Sequence, residues 1–505
     1  MEGVYRGRVS KPMREEALDF VSSLDEDQRI LTDDLLGTLA HVIALQEAGI
    51  IGEEGKKIVE ALVWLFGRAL AGELKVEGKF EDVHEFIETQ VIQRVGMEVG
   101  GKMHTGRSRN DQVALAVRMR VREELHRVSD LVLLLARSLL KRAEETAEVP
   151  IPLYTHTRQA QIGTLGHYFL SKVDELLENF ERLSDCYKRV NLCPLGACAI
   201  GGTSFPLLRE RVAELLGFEG LVENSIQAVS NRDFMLEIAS NLSILMVGLS
   251  RLAEDLILWS GEEFGFISIS EEFASTSSVM PQKVNPCTLE LIRAKAAEVL
   301  GLTTALFSTF KGLITGYNRD LQETKSELWR CFELAEDSLR VMRGIVSTLE
   351  VNRERCVSAV EGSFAVALDL AEALVRERSI PFRTAHILVG RVVRRAFESG
   401  KRLGEISPAL LEEEAKQLGL TLEVSEEFVR KYTNPLLSLQ ARKSKGSPNP
   451  LEVKRMLAER YRSVERAEEL LSERRAHVLR CFSSLLSRAG IEPLRREEPT
   501  PPSSP

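Results

Sequence analysis

Four polar stretches of the chain carry side chains able to do chemistry. They are Gly101 to Gln112 (GKMHTGRSRNDQ), Tyr154 to Gln161 (YTHTRQAQ), Ser275 to Pro286 (STSSVMPQKVNP) and Tyr317 to Lys325 (YNRDLQETK). Each precedes or opens a long amphipathic segment. A helix start leaves backbone N–H groups unpaired and carries partial positive charge, so it receives anions. With Arg107, Arg109, Lys283 and Lys325 added, these stretches suit a substrate bearing more than one carboxylate. Ser, Thr, Asn and Asp are also ordinary helix caps, which accounts for any single stretch. Four stretches of this chemistry exceed what capping needs.

The elements that must position them are legible as apolar stripes. Residues step at gaps of three and four along Val117–Leu139, Ile162–Tyr187, Phe234–Trp259, Leu289–Phe310 and Leu328–Leu349. A mean period near 3.5 belongs to long helices packed almost parallel. They predict a central bundle over 111–360, with no comparable strand pattern. Residues 1–110 form a preceding helical domain, with segments at 33–48 and 53–72. After 361, Pro381, Pro408, Pro435 and Pro448 divide shorter helices into a smaller C-terminal domain, 361–492. The Pro/Ser-rich tail, 493–505, is expected to be disordered. Between Gly265 and Pro286 the helical pattern lapses for about twenty residues, long for a compact helical protein, and this segment reads as an active-site lid.

The first bundle helix, expected over 113–141, is roughly 40 Å long at the helical rise per residue. A short connection over 142–154 makes the next helix antiparallel to it. The first two polar stretches then lie at opposite ends of one chain. If both serve one site, another copy must complete it, which predicts a homo-oligomer with composite sites.

Composition narrows the class. Aromatics are only 6% of the chain, which leans away from sheet. A net charge of -9 argues against a general nucleic-acid binder. The seven cysteines show no CxxC spacing and fit free thiols in a reducing compartment, and the first twenty residues lack a signal-peptide core. A cytoplasmic protein is expected. No apolar run is long enough to span a membrane, and no metal-spaced histidines, phosphate loop or dinucleotide fingerprint is evident.

The run at Ser277, Ser278, Met280, Pro281, Lys283 and Asn285 resembles the signature of the fumarase/aspartase superfamily. HTGRSRNDQ at 104–112 resembles the argininosuccinate lyase version of a second motif. Asp82-Val83-His84, Tyr154-Thr155-His156 and Asp320-Leu321-Gln322 with Lys325 are similar to that family too. The resemblance spans about 33–450. It implies an all-α homotetramer with a twenty-helix core, each site drawing on three subunits, and a reversible β-elimination of argininosuccinate to arginine and fumarate. No redox step is needed, so no cofactor is expected.

By the same resemblance Ser277 abstracts the proton. Lys283 and Asn285 hold the carboxylate that takes up charge. His156, paired with Glu290, faces the leaving group. Ser108, Arg109, Asn110 and Thr155 bind the succinate part, and His84, Tyr317, Gln322 and Lys325 make other substrate contacts. Thr38 stands for a substrate-touching serine on a loop. Thr276, Thr157-Arg158 and Leu368 depart from the family pattern. Lyases acting on other fumarate adducts, such as aspartate or adenylosuccinate, and a non-catalytic structural oligomer remain as alternatives.

Overall fold

The five apolar stripes become the five longest central helices of an all-α fold. The computed structural model describes residue 8 and residues 11–491; the tail expected at 493–505 lies outside the described residues. The N-terminal region supplies α1 (Leu31–Glu47), α2 (Gly55–Leu70) and α3 (Val83–Val95). The bundle is α4 (Arg109–Glu145), α5 (Leu165–Val190), α6 (Asp233–Ser260), α7 (Cys287–Phe310) and α8 (Asp320–Thr348). Smaller helices follow, among them α9 (Ala367–Arg378) and α10 (Phe382–Glu398), and then α11 (Pro450–Arg488).

The helix α4 runs beyond the expected 113–141 at both ends. Ser108 caps it: its Oγ accepts from Asn110 N, and Asp111 Oδ1 accepts from Ser108 N at 3.0 Å. The carboxylate of Asp111 also suits the positive end of the helix. The neighbouring α5 is antiparallel to α4, as its contacts require. Arg118, early in α4, donates to the carbonyls of Arg189 and Val190 at the end of α5. Arg122 donates to Leu216, Gly217 and Asn191. Both guanidiniums are buried and donate to carbonyls left over at helix ends, although Arg118 Nε finds no hydrogen-bond partner.

Two large cores and a small cluster of Ala197, Val222, Ala228 and Val229 divide the described residues. The larger joins α1–α8 and also takes Val453, Met456, Val464, Leu471 and Leu485 of α11. So the last helix of the 361–492 region lies along the bundle, against α4 and α5. The smaller core holds residues from Val360 to Leu439, with Ile162.

One expectation fails. The stretch at Tyr154 does not precede a helix start directly; it folds into a hairpin of β1 (Pro150–Thr155) and β2 (Arg158–Thr164). Its two-residue turn is His156-Thr157, with φ of 51° and 58°. Both residues thus sit in the left-handed region that such turns demand. The Gly265–Pro286 segment is also not plain loop. It contains a small hairpin of β3 (Ser275–Thr276) and β4 (Val284–Asn285). Among the described residues no helix is long and apolar enough to cross a membrane.

Candidate active site

At one end of the bundle the starts of α4 and α8 meet α3 and the short helix Leu24–Asp27 around a cavity of about 290 Å³. His84, Arg109, Asn110, Tyr317, Gln322 and Lys325 all line it. These six residues come from three of the sequence motifs, separated by up to 241 positions, and α4 and α8 bring them together because both start at this end.

The cavity's cations are held by acids. Arg109 pairs with Asp82, which also caps α3 by accepting from Glu85 N at 2.8 Å. Arg319 donates to Glu81 at 2.6 Å. Lys325 pairs with Asp27 in a contact where both side chains are buried. Burial pushes the Asp82 carboxyl up, but His84 and Arg109 outweigh it and hold the group below the usual carboxylate range. Burial pushes the Tyr317 phenol up, so it stays a neutral donor at physiological pH. Burial, with Arg107 and Arg109 nearby, lowers His104 to about 3. The pocket therefore sets Arg109, Arg319 and Lys325 beside the carboxylates of Asp82, Glu81 and Asp27, and so presents groups of both signs to a ligand.

The loop after α5 closes one wall. Asn110 Nδ2 donates to Ala199 O at 3.0 Å. Asp111 Oδ2 accepts from Gly196 N at 3.0 Å and Cys198 N at 2.8 Å. Burial raises Asp111 to about 6 despite these two backbone donors and the N–H of Ser108.

The residue Thr38 is placed elsewhere than expected. It lies within α1, not on a loop, is fully buried, and accepts from Arg107 Nη1 at 2.8 Å. Neither Thr38 nor Arg107 lines the cavity. The aliphatic hydroxyl at the cavity is that of Ser23, which donates to Asp27 Oδ2 at 2.7 Å. Ser23, Asp27, Asp82 and His104 line the cavity but had no place among the expected site residues. Asp82 and His104 lay inside quoted motifs; Ser23 and Asp27 had no such signal.

The other expected residues gather at the opposite end. Arg142, near the end of α4, donates to the carbonyls of Val346 and Ser347 at the end of α8. Here the β1–β2 turn exposes Thr155 and His156. Here too α7 begins, with Thr288 Oγ1 donating to Phe273 O at 2.6 Å. The β3–β4 hairpin carries Ser277, Lys283 and Asn285, and Glu290 follows in the first turn of α7. Ser277 N donates to Lys283 O at 3.0 Å, closing the hairpin. Ser277 Oγ accepts from Val279 N at 3.3 Å and Met280 N at 3.0 Å. Lys283, His156 and Glu290 are exposed, and no hydrogen bond or ion pair joins His156 to Glu290 within the chain. Among the described residues no group of His, Cys, Asp or Glu is arranged to hold a metal ion.

The chain is similar in sequence to known lyases. Residues 7–301 match the Lyase family model, and 364–435 match the model for the argininosuccinate lyase C-terminal region. The argininosuccinate lyase of Methanosarcina mazei is 41% identical over 484 residues, covering 95% of this chain and 97% of the relative. That of Methanothrix thermoacetophila is 45% identical over 477 residues, covering 94% and 96%. An EDDS lyase solved in complex with formate superposes with a TM-score of 0.85 at 31% identity, covering 94% of each chain. A class II fumarase from Schistosoma mansoni shares the fold, with a TM-score of 0.69 at 18% identity over 81% of this chain and 90% of that one.

Proposed function

The chain belongs to the argininosuccinate lyase family, and from that premise we propose that its two polar ends are halves of active sites completed between copies of the chain. The activity is the reversible β-elimination of argininosuccinate to arginine and fumarate, the last step of arginine biosynthesis. The observation that carries this reading is near-full-length identity of 41–45% to argininosuccinate lyases in a chain that keeps the side chains the reaction needs.

In the proposed mechanism Ser277 removes the proton from the carbon beside a substrate carboxylate. A serine alkoxide is a poor species in water and needs donors around its oxygen. The N–H groups of Val279 and Met280 already point at Ser277 Oγ and serve that purpose. The carboxylate becomes doubly charged, and Lys283 with Asn285 compensates it as a point charge and an amide donor. His156, oriented by Glu290, passes a proton to the departing nitrogen, and the C–N bond breaks. Thr155 and Asn285 hold the succinate part from this half. Ser108, Arg109 and Asn110 do so from the other half, where His84, Tyr317, Gln322 and Lys325 receive the arginine part.

The assembly is a homotetramer. What supports it is the apolar surface left on the bundle: Ile244, Val247 and Leu258 of α6 and Leu300 and Phe307 of α7 are each more than two-fifths exposed. Long helices rarely leave such residues in water unless another protein surface covers them. The seven unpaired cysteines support a reducing, cytoplasmic setting. The purified protein, incubated in turn with argininosuccinate, aspartate and adenylosuccinate while fumarate absorbance is followed, tests the reading. Release from argininosuccinate is expected; release from another adduct alone refutes it.

A further inference from the structure

Behind the cavity wall lies a buried polar group that the mechanism does not use. His84 borders the cavity, and its Nδ1 lies 3.0 Å from Asp34 Oδ1. Asp34 is on α1 and His84 on α3, and each is only 2% exposed. Gln112 of α4, equally buried, donates Nε2 to Asp34 Oδ1 at 2.8 Å and Oδ2 at 3.0 Å. Both ring nitrogens of His84 are buried; Nδ1 meets Asp34 at ion-pair distance without a hydrogen bond of good geometry, and Nε2 finds no partner within the chain. Three helices thus converge on one carboxylate, whose outward reach is the imidazole at the cavity.

A buried carboxylate is costly unless paired, so this arrangement needs a reason. Burial pushes Asp34 up, but His84, Arg107 and the Gln112 amide outweigh it and hold the group below the usual carboxylate range. An anionic Asp34 draws the imidazole hydrogen to Nδ1, because a carboxylate accepts and does not donate. In a neutral imidazole the other nitrogen is then an acceptor. The charged groups around His84 are Asp82 at the start of its own helix and Arg107 and Arg109 of the α4 start, with the titratable but neutral His104 beside them.

We propose that Asp34 is a positioning residue for substrate recognition: held by Gln112, it fixes the tautomer of His84 so that Nε2 accepts an N–H of the substrate's arginine part. This rests on the lyase reading above, and it assigns a task to two residues that touch no substrate. A fixed acceptor gains affinity because no rotamer or tautomer choice remains to be lost on binding. The contact forms in ground state and transition state alike, so it acts on KM more than on kcat.

The test is the replacement Asp34→Asn in the full-length enzyme, which keeps shape and removes charge. We expect kcat/KM for argininosuccinate to fall about tenfold to a hundredfold, as for other partners that orient a functional imidazole, with the loss carried by KM. The inhibition constant of arginine should rise by a similar factor, and that of fumarate should stay. In the double variant with His84→Ala the loss should not exceed that of His84→Ala alone. Gln112→Met, which frees the carboxylate while sparing it, should show the same pattern more weakly and stands in if Asp34→Asn fails to fold. Additive losses, a fall in kcat at unchanged KM, or equal weakening of fumarate would each overturn the assignment alone. A wild-type enzyme that releases no fumarate from argininosuccinate would end the lyase reading and this assignment with it.

Discussion

Arg109 opens α4, and His156 sits on a turn beyond that helix's other end, so the two are held apart by the whole length of the rod. At 37 residues the helix is roughly 55 Å long, several times the span of any amino-acid substrate. No hinge within the chain brings them together, because α4 is buried along most of its length against α5 and α8. A site that uses both must take them from different copies. Two inactive variants, Arg109→Gln and His156→Asn, should therefore regain part of the wild-type activity when unfolded together and reassembled. Each alone should stay inactive after the same treatment. Mixtures that never exceed the separate variants would remove the composite site.

The β3–β4 hairpin holds Ser277 with its oxygen facing two backbone donors. Ser277→Ala deletes that oxygen without disturbing a buried contact, since the residue is only half-buried and its own N–H bond to Lys283 O survives. Turnover should drop by at least about a thousandfold, the scale seen when a reacting group is lost. Thermal midpoint and oligomer size should not change. Wild-type kcat in the variant would take Ser277 out of the reaction.

Why the bundle was legible and the hairpin was not comes down to how each is specified. The stripe from Phe234 to Trp259 repeats every three or four residues for seven turns, and its helix, Asp233–Ser260, matches it within one residue. The β1–β2 hairpin announces itself by neither alternation nor turn chemistry. Two prolines stand in β1, the register breaks between Leu153 and Tyr154, and the turn lacks the Asn-Gly or Gly-Gly pair that would mark it. The six cavity residues were legible because they belong to local motifs. Asp27 was not, because only the packing of a four-residue helix brings it to Lys325, 298 positions away. Thr38 was misplaced for the converse reason: a lone hydroxyl in a helical stretch says nothing of which way it faces.

The turn that presents His156 is strained. Thr157 is β-branched and holds φ 58°, a conformation that costs such residues roughly 1–2 kcal/mol. Its hydroxyl donates only to its neighbour His156 O, an exposed contact. Thr157→Gly should relieve the strain and raise the stability of the hairpin by about 1 kcal/mol, net of the added unfolded-state entropy of glycine. Urea midpoints at fixed protein concentration would read the change. A lower midpoint would show that the threonine side chain contributes contacts worth more than its strain.

Acid should destabilise the protein through buried histidines that stay neutral. His126 stacks on Tyr187 at a ring separation of 5.2 Å and is buried deep in α4. Burial, then Arg475, Arg122 and Arg474, lowers it to about 3. The unfolded chain takes up a proton at this residue as pH falls through about 6.5, whereas the native chain does so only near 3. In that window the unfolded state binds more protons, so stability declines as pH is lowered, by up to about 1.4 kcal/mol per pH unit from this group. Above the window the residue has no effect of this kind. His126→Phe keeps a ring against Tyr187 and removes the titration; Nε2 has no partner to lose. Relative to wild type, the variant should gain stability between pH 7.5 and pH 5, by about 1–2 kcal/mol in urea unfolding. A constant difference across that range would mean that the folded imidazole takes up its proton over the same range as the unfolded one, a carboxylate such as Glu123, whose Oε2 lies 4.0 Å from its Nδ1, offsetting burial.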